Sequence, residues 1–256
     1  MLELFKLDDS LNFPSAEFAL DEPNGLLAFG GDLSVRRLVQ AYSNGIFPWF
    51  SEGEPLLWWS PDPRGVIFTD DFKPSRSLRK SVRKFGYTAT MDNAFSSVIA
   101  ACAKVPRRDI YHGNKAYSNS TWITDDMLRA YREMHGAGYA HSVEVWNSKG
   151  ELVGGLYGVT IGQLFCGESM FHIQTDASKA AFWALAHYMA SNKLPLIDCQ
   201  MLNPHLETLG CIAVSRQEFL DTLSRLKYRS NETPGKSGLQ KSYWRKLQLE
   251  LQELAQ

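Results

Sequence analysis

Residues 140–170 read AHSVEVWNSKGELVGGLYGVTIGQLFCGESM, and three strand-like runs divide them: Ala140–Trp146, Leu152–Thr160 and Gln163–Met170. The separators, Asn147–Gly150 and Ile161-Gly162, are short enough for hairpins, so the block predicts consecutive antiparallel strands. Downstream, DASKAAFWALAHYMA (176–190) carries Phe182, Leu185, Ala186 and Met189 at helical core spacing, with Asp176 expected to cap the helix. A strand over Leu194–Met201 follows. Asn203 as N-cap, Pro204 in the first turn and Gly210 as stop then frame a very short helix. Upstream, Ser34 introduces a helix over Val35–Ser43, and Gly65–Phe68 reads as a short strand. A helix over Asp92–Val105 aligns Phe95, Val98, Ile99 and Cys102. Thr124 opens another, with Met127, Leu128, Tyr131 and Met134 on its apolar face. The order helix, helix, antiparallel strands, helix, strand, helix is α+β. Pro61-Asp62-Pro63 interrupts regular structure and marks a boundary, and Lys104–Ser120 reads as a polar loop.

The 256 residues are 44% hydrophobic and 21% charged, ordinary values that exclude a disordered, collagen-like or coiled-coil chain. Apolar stretches fall far short of the roughly 18–20 residues a membrane helix needs, so no membrane partner is expected. The acidic N-terminus MLELFKLDDS lacks the basic start of a secretory signal. Cys102, Cys166, Cys199 and Cys211 form no CxxC, and reduced thiols in a cytoplasmic protein are expected. The formal net charge of -1 conceals a strong asymmetry. Residues 1–72 carry 12 acidic and 4 basic side chains, whereas residues 73–115 carry 10 basic and 2 acidic.

Several chemistries are poorly supported. His112, His135, His141, His172, His187 and His205 form no close ligand array, so no metal is expected. CGESM (166–170) lacks the second glycine of a nucleophile elbow, and there is no phosphate-binding glycine loop. Other features are more informative. Phe47, Trp49, Phe50, Trp58 and Trp59 crowd a stretch rich in Gly, Pro and Ser, and five aromatics cannot all be buried in a small N-terminal module. Flat rings of this kind stack on nucleobases. Trp122 lies just before a helix start, with core packing and stacking equally open. Arg76, Arg79, Lys80, Arg83 and Lys84 form one stripe of a helix with Leu78 and Val82 opposite. No acidic partner occurs within that segment, so a phosphate-backbone contact is the preferred reading. Alternation places Asp198 and Gln200 on one face of an otherwise apolar strand, and Glu168 lies in a similar context. Such groups need hydrogen-bonding partners or a chemical role, and both readings stand.

Read together, these segments resemble the leucyl/phenylalanyl-tRNA–protein transferases. The matching strings are FPSAEFALDEPNGLLAFGGDLS (13–34), AYSNGIFPWFSEGEPLLWWSPDPRGV (41–66), TWIT (121–124), GYAHSVEVW (138–146), LVGGLYG (152–158), LFCGESMF (164–171), DASKAA (176–181), IDCQ (197–200) and HLETLG (205–210). They run in family order over most of residues 13–220. The resemblance implies a small N-terminal α+β domain (1–63), a domain with the fold of the GCN5-related N-acetyltransferases (64–222), and a basic, partly helical tail (223–256). It implies transfer of leucine or phenylalanine from aminoacyl-tRNA to the N-terminal amine of proteins beginning with Arg or Lys, marking them for N-degron degradation. A monomer is expected, with no cofactor, because the aminoacyl ester is already activated.

By the same resemblance, Trp49 and Trp122 sandwich the terminal adenosine. Leu156, Phe165, Leu185, Met189 and Ile197 line the pocket for the Leu or Phe side chain. Asp198, Gln200 and Glu168 sit at the reacting centre: Gln200 positions the amine or ester, Asp198 polarises or accepts, and Glu168 is also a candidate for meeting the cationic acceptor. The stripe from Arg76 to Lys84 holds the acceptor arm. Cys211 and Thr208 depart from the family pattern, and the tail, with 7 basic residues and 1 acidic in Leu223–Lys246, is read as an RNA contact or a surface helix at Leu239–Leu254. A coenzyme-A-dependent acetyltransferase is disfavoured because Phe171–Ser178 contains no glycine. A tRNA-binding module without catalysis leaves IDCQ and CGESM without a purpose.

Overall fold

The computed structural model describes residues 4–105, 107–108, 117–118, 122–227 and 248–255. The N-terminal part contains β1 (Phe5–Leu7), β2 (Leu26–Gly30), α1 (Val35–Tyr42), β3 (Phe47–Pro48) and β4 (Leu57–Trp59). Its four strands lie in the order β1-β2-β4-β3. Helix α1 begins where Ser34 Oγ accepts the Arg37 N–H. Beyond its end, Gly45 has φ +73°, and a Cβ there would lie 2.7 Å from Leu220. The positive φ favours glycine, and the close approach packs this turn against the later part of the chain.

The remaining elements are β5 (Arg64–Phe68), α2 (Arg76–Phe85), β6 (Thr88–Met91), α3 (Phe95–Ala103), β7 (Arg107–Arg108), β8 (Tyr117–Ser118) and α4 (Asp125–Ala137). They continue as β9 (Ala140–Trp146), β10 (Leu152–Ile161), β11 (Leu164–His172), α5 (Ala177–Ser191), β12 (Leu196–Gln200), α6 (Pro204–Glu207), β13 (Ile212–Val214), α7 (Arg216–Leu226), β14 (Gln248–Leu249) and α8 (Leu251–Leu254). Eight strands form one mixed sheet in the order β13-β5-β12-β11-β10-β9-β6-β14. The β9–β10–β11 meander is antiparallel, as the sequence predicts, and β11 pairs with β12 in parallel across the helix α5. The class is α+β.

Alternation along the strands divides the interior into two cores. Tyr157, Val159, Cys166 and Leu196 face α1, α3, α4, α7 and the N-terminal sheet. Their neighbours Leu156, Phe165 and Ile197 face α2, α5 and α8. The sheet is therefore covered on both sides. Gly158 serves this packing directly, because a Cβ there would lie 2.5 Å from the Phe165 ring and 2.2 Å from the Cys166 carbonyl oxygen. Gly158→Ala is expected to lower stability by about 1–3 kcal/mol, the usual range for overpacking, and a denaturant titration with an unchanged midpoint would refute this.

The structure corrects several expectations. Phe47, Phe50, Trp58 and Trp59 are all buried, leaving Trp49 as the half-buried member of the group. They fit because the N-terminal sheet shares one continuous core with α4 and α7 rather than enclosing its own. Asp176 does not cap α5 with its side chain: at φ +60° it accepts from Ser81 Oγ of α2 at 2.7 Å. Helix α3 starts at Phe95 rather than Asp92, because the buried Glu144 carboxylate of β9 accepts the Asn93 and Ala94 N–H groups. The helix expected at Leu239–Leu254 is also different. Residues 239–247 lie outside those described, Gln248–Leu249 pair with β6, and α8 buries Leu251 completely. Much of the Lys104–Ser120 loop is outside the described residues too, although β7 and β8 pair as a short ribbon. No helix among the described residues is long and apolar enough to cross a membrane.

Candidate active site

The parallel pairing of β11 with β12 ends at Cys166 opposite Asp198, and both strands carry a bulge there. In β11, Gly167 and Ser169 face consecutive residues of β10, which leaves Glu168 as the extra residue. In β12, Asp198 and Gln200 face consecutive residues of β5, which leaves Cys199 extra and Gln200 in the left-handed region at φ +64°. Bulges re-aim side chains, so plain alternation does not describe Asp198 and Gln200. A hydrogen bond relates them instead: the Gln200 N–H donates to Asp198 Oδ1 at 2.9 Å.

Asp198 is completely buried and forms a bidentate pair with Arg64, with Nε–Oδ1 at 2.8 Å and Nη2–Oδ2 at 2.7 Å. Glu168, 9% exposed, accepts from Tyr42 at 2.7 Å, Tyr131 at 2.9 Å and the Gln200 amide at 2.9 Å. The two tyrosine oxygens also lie in close contact, but each hydroxyl has a single proton and here gives it to Glu168. Burial raises the Glu168 carboxyl to about 7; the Tyr42, Tyr131 and Gln200 hydrogen bonds pull it down, and the Asp198 charge adds to the rise. Burial and then the Glu168 charge push both phenols well above their ordinary value. The group that can exchange a proton near neutrality is therefore the carboxyl.

Comparison with known proteins interprets this arrangement. Residues 66–224 match the family model of the leucyl/phenylalanyl-tRNA protein transferase, and residues 31–62 match the model of its N-terminal domain. The chain belongs to that family. The Pseudoalteromonas atlantica leucyl/phenylalanyl-tRNA–protein transferase is 56% identical over 223 residues, covering 87% of this chain and 91% of the relative. The Tolumonas auensis enzyme of the same name is 54% identical over 227 residues, covering 89% and 93%. Among solved structures, L-PGS from Bacillus licheniformis aligns with a TM-score of 0.37 and 12% identity over 64% of this chain and 50% of that one, too distant to argue from. As a leucyl/phenylalanyl-tRNA–protein transferase family member, the protein is an aminoacyltransferase.

Of the residues that the family resemblance singles out, the structure brings together Asp198, Gln200 and Glu168, whereas the five apolar residues and the two tryptophans lie on opposite sides of the sheet. Asp198, Gln200 and Glu168 are linked by hydrogen bonds at the bulges. Leu156, Phe165, Leu185, Met189 and Ile197 are all buried in the core on the α5 side of the sheet. Trp49 and Trp122 are half-buried at the edge of the opposite core, and Trp49 packs edge-on against Trp59 at 5.4 Å. On α2, Leu78 and Val82 point inward, while Arg76, Lys80, Arg83 and Lys84 are exposed and Arg79 is half-buried. Among the described residues, Lys84 lies over the Phe85 ring at 5.0 Å, and two of these cations donate hydrogen bonds to α8 and the residue after it. Arg79 donates to the Leu254 carbonyl at 2.9 Å and Arg83 to the Ala255 carbonyl at 2.8 Å, tying α2 to α8.

Sequence reasoning passed over Tyr42, Tyr131 and Arg64. Tyr42 lies in the matched string AYSNG but carries no local signal of its own, and Tyr131 registers only as an apolar residue at helical spacing. A phenol at a core position requires a buried hydrogen-bond partner, and that was the available clue.

Proposed function

We propose that this aminoacyltransferase moves leucine or phenylalanine from aminoacyl-tRNA to the N-terminal α-amine of proteins beginning with Arg or Lys, marking them for N-degron degradation in the cytoplasm. The observation carrying this reading is Glu168, a carboxyl that is buried, bonded to Gln200, Tyr42 and Tyr131, and pushed up by burial to about 7. Attack on the ester needs a neutral amine, and an N-terminal amine has a pKa of roughly 8. A base near 7 is well matched to that proton. The amine nitrogen bonds to the ester carbonyl, its proton passes to Glu168 and from there to the ribose oxygen, which leaves as the acyl C–O bond breaks. Gln200 positions the amine or ester. Asp198, with both oxygens held by Arg64 and one also by the Gln200 N–H, anchors this end of β12, so the accepting role passes to Glu168. Much of the acceleration is proximity.

The five buried apolar residues suit a Leu or Phe side chain, and such a pocket discriminates modestly, at about 1–3 kcal/mol per methylene. Trp49 and Trp122 offer faces for the terminal adenosine, and the α2 cations offer a track for the acceptor arm. The antiparallel meander followed by the parallel β11–α5–β12 unit supports an acetyltransferase-like larger domain. The proposed division is 1–63, 64–222 and 223–256, acting as a monomer. The ester supplies the activation, so no cofactor is required.

Incubation with Leu-tRNA and a peptide beginning with Arg should place leucine on the peptide. A peptide left unmodified, or acetyl-CoA turnover without tRNA, would refute the proposal. Reversing Arg76, Lys80 and Lys84 to Glu should weaken Leu-tRNA binding and reduce its salt slope by about 0.7–0.9 for each phosphate no longer neutralised. These positions leave the Arg79 and Arg83 links to α8 intact, and salt titrations superimposing on wild type would remove α2 from the RNA interface.

A further inference from the structure

We infer that Arg64 is a positioning residue for aminoacyl transfer, locking the end of β12 to the turn after α1 so that Tyr42, Gln200 and Glu168 converge. Four separate elements meet at its guanidinium. Nε and Nη2 hold both oxygens of Asp198 on β12. Nη1 donates to the Gly45 carbonyl at 3.1 Å, three residues beyond Tyr42. The planar group lies 5.0 Å from the Phe47 ring centroid of β3 and 4.4 Å from that of Phe219 on α7. Arg64 itself is 1% exposed.

Each contact controls something the site needs. Asp198 Oδ1, fixed by Arg64, receives the N–H of Gln200 and so holds that residue in its left-handed conformation, from which its amide reaches Glu168. The Gly45 carbonyl fixes the end of α1, which delivers the Tyr42 hydroxyl to Glu168. Arginine alone combines a planar fork for a carboxylate with two faces for aromatic rings, and a lysine ammonium supplies neither. Stability is a weak reason for such a pair, since apolar residues of similar volume often serve a buried site as well.

The inference rests on the reading of Glu168 as the proton acceptor. The groups around that carboxyl are Tyr42 from α1, Tyr131 from α4 (itself edge-on to Tyr157 of β10), Cys166 from β11, and Asp198 with its partner Arg64. Among them, the Asp198 charge raises Glu168, so weakening its neutralisation should raise it further.

The test is Arg64→Lys, assayed for leucine transfer from Leu-tRNA to an Arg-initiated peptide between about pH 5 and pH 9. The expected result is a kcat reduced about 10–100-fold, a Leu-tRNA Kd within about twofold of wild type, and an acidic limb displaced upward by at least about half a pH unit. The paired variant Arg64→Met/Asp198→Asn removes both charges. It should remain slow, with the limb back at or below the wild-type position, and it carries the test if Arg64→Lys does not fold. A wild-type kcat in either variant overturns the inference, as does a slow Arg64→Lys enzyme whose limb has not moved. Failure of the Glu168 reading has a different signature: a limb near pH 7 that is absent from wild type or persists in Glu168→Gln. In that event, the kcat and Kd of Arg64→Lys alone decide whether Arg64 positions the site.

Discussion

Glu168→Gln is expected to slow leucine transfer by about 10²–10⁴-fold and to abolish the rise in rate through pH values near 7. The substituted amide preserves the volume of the side chain but cannot take the amine proton. The wild-type carboxyl, raised to about 7 by burial, is ionised and competent above that pH and protonated below it. Stability should move in the opposite sense. An acid whose folded pKa lies above its unfolded value binds more protons in the folded state, so the wild type loses stability as pH rises from about 4.5 to about 7. The loss approaches 3 kcal/mol as an order of magnitude. The amide has no such charge to bury but offers Tyr42 and Tyr131 a single acceptor oxygen, which offsets part of the gain. Urea titrations should therefore show the stability difference between variant and wild type moving in the variant's favour as pH rises from about 4.5 to about 7. A variant with wild-type turnover would exclude Glu168 as the base.

Asp198→Ala is expected to reduce stability by about 3–5 kcal/mol, because it leaves the buried Arg64 guanidinium without its partner. For a chain of this size, that corresponds to a fall in melting temperature of about 6–10 °C. Turnover of the folded fraction should fall more than aminoacyl-tRNA affinity, since Gln200 loses the acceptor of its backbone N–H while the residues proposed to bind the aminoacyl-tRNA are untouched. A thermal scan matching wild type would show that Arg64 finds other partners and would refute the anchoring role. Wild-type turnover would remove Asp198 from the site altogether.

The local architecture was legible because its signals act over a few residues. Ser34, Ser75, Thr124 and Asn203 each accept an N–H three positions ahead and start α1, α2, α4 and α6. The hairpins of residues 140–170 follow in the same way from short turns between strand-like runs. Misreadings arose where a distant group replaced the local one. Glu144 of β9, 50 residues from Ala94, binds the N–H groups of the two residues that lead into α3. Gln248–Leu249 returns across the chain to pair with β6, which a reading of the tail alone could not anticipate. The aromatics of residues 47–59 looked too numerous to bury because the core they enter is built largely from later elements.

The same division applies to the active site. Composition and motif identified Glu168, Asp198 and Gln200 as polar groups in apolar strands and tied them to aminoacyl transfer through the strings that contain them. Their roles depended on contacts that no short window contains. Arg64 and Asp198 are 134 residues apart, and Tyr42 and Glu168 are 126 apart. Local propensity gives no reason for adjacent strands to bulge at Glu168 and Cys199, or for Gln200 to take a left-handed backbone. Surrounding contacts accompany that geometry: the Arg64–Asp198 pair secures β12, and the tyrosines of α1 and α4 close over Glu168. Short-range capping and turn chemistry thus specify the elements, whereas the raised pKa of Glu168 arises from long-range burial that removes water from a carboxyl, offset only in part by three fixed donors.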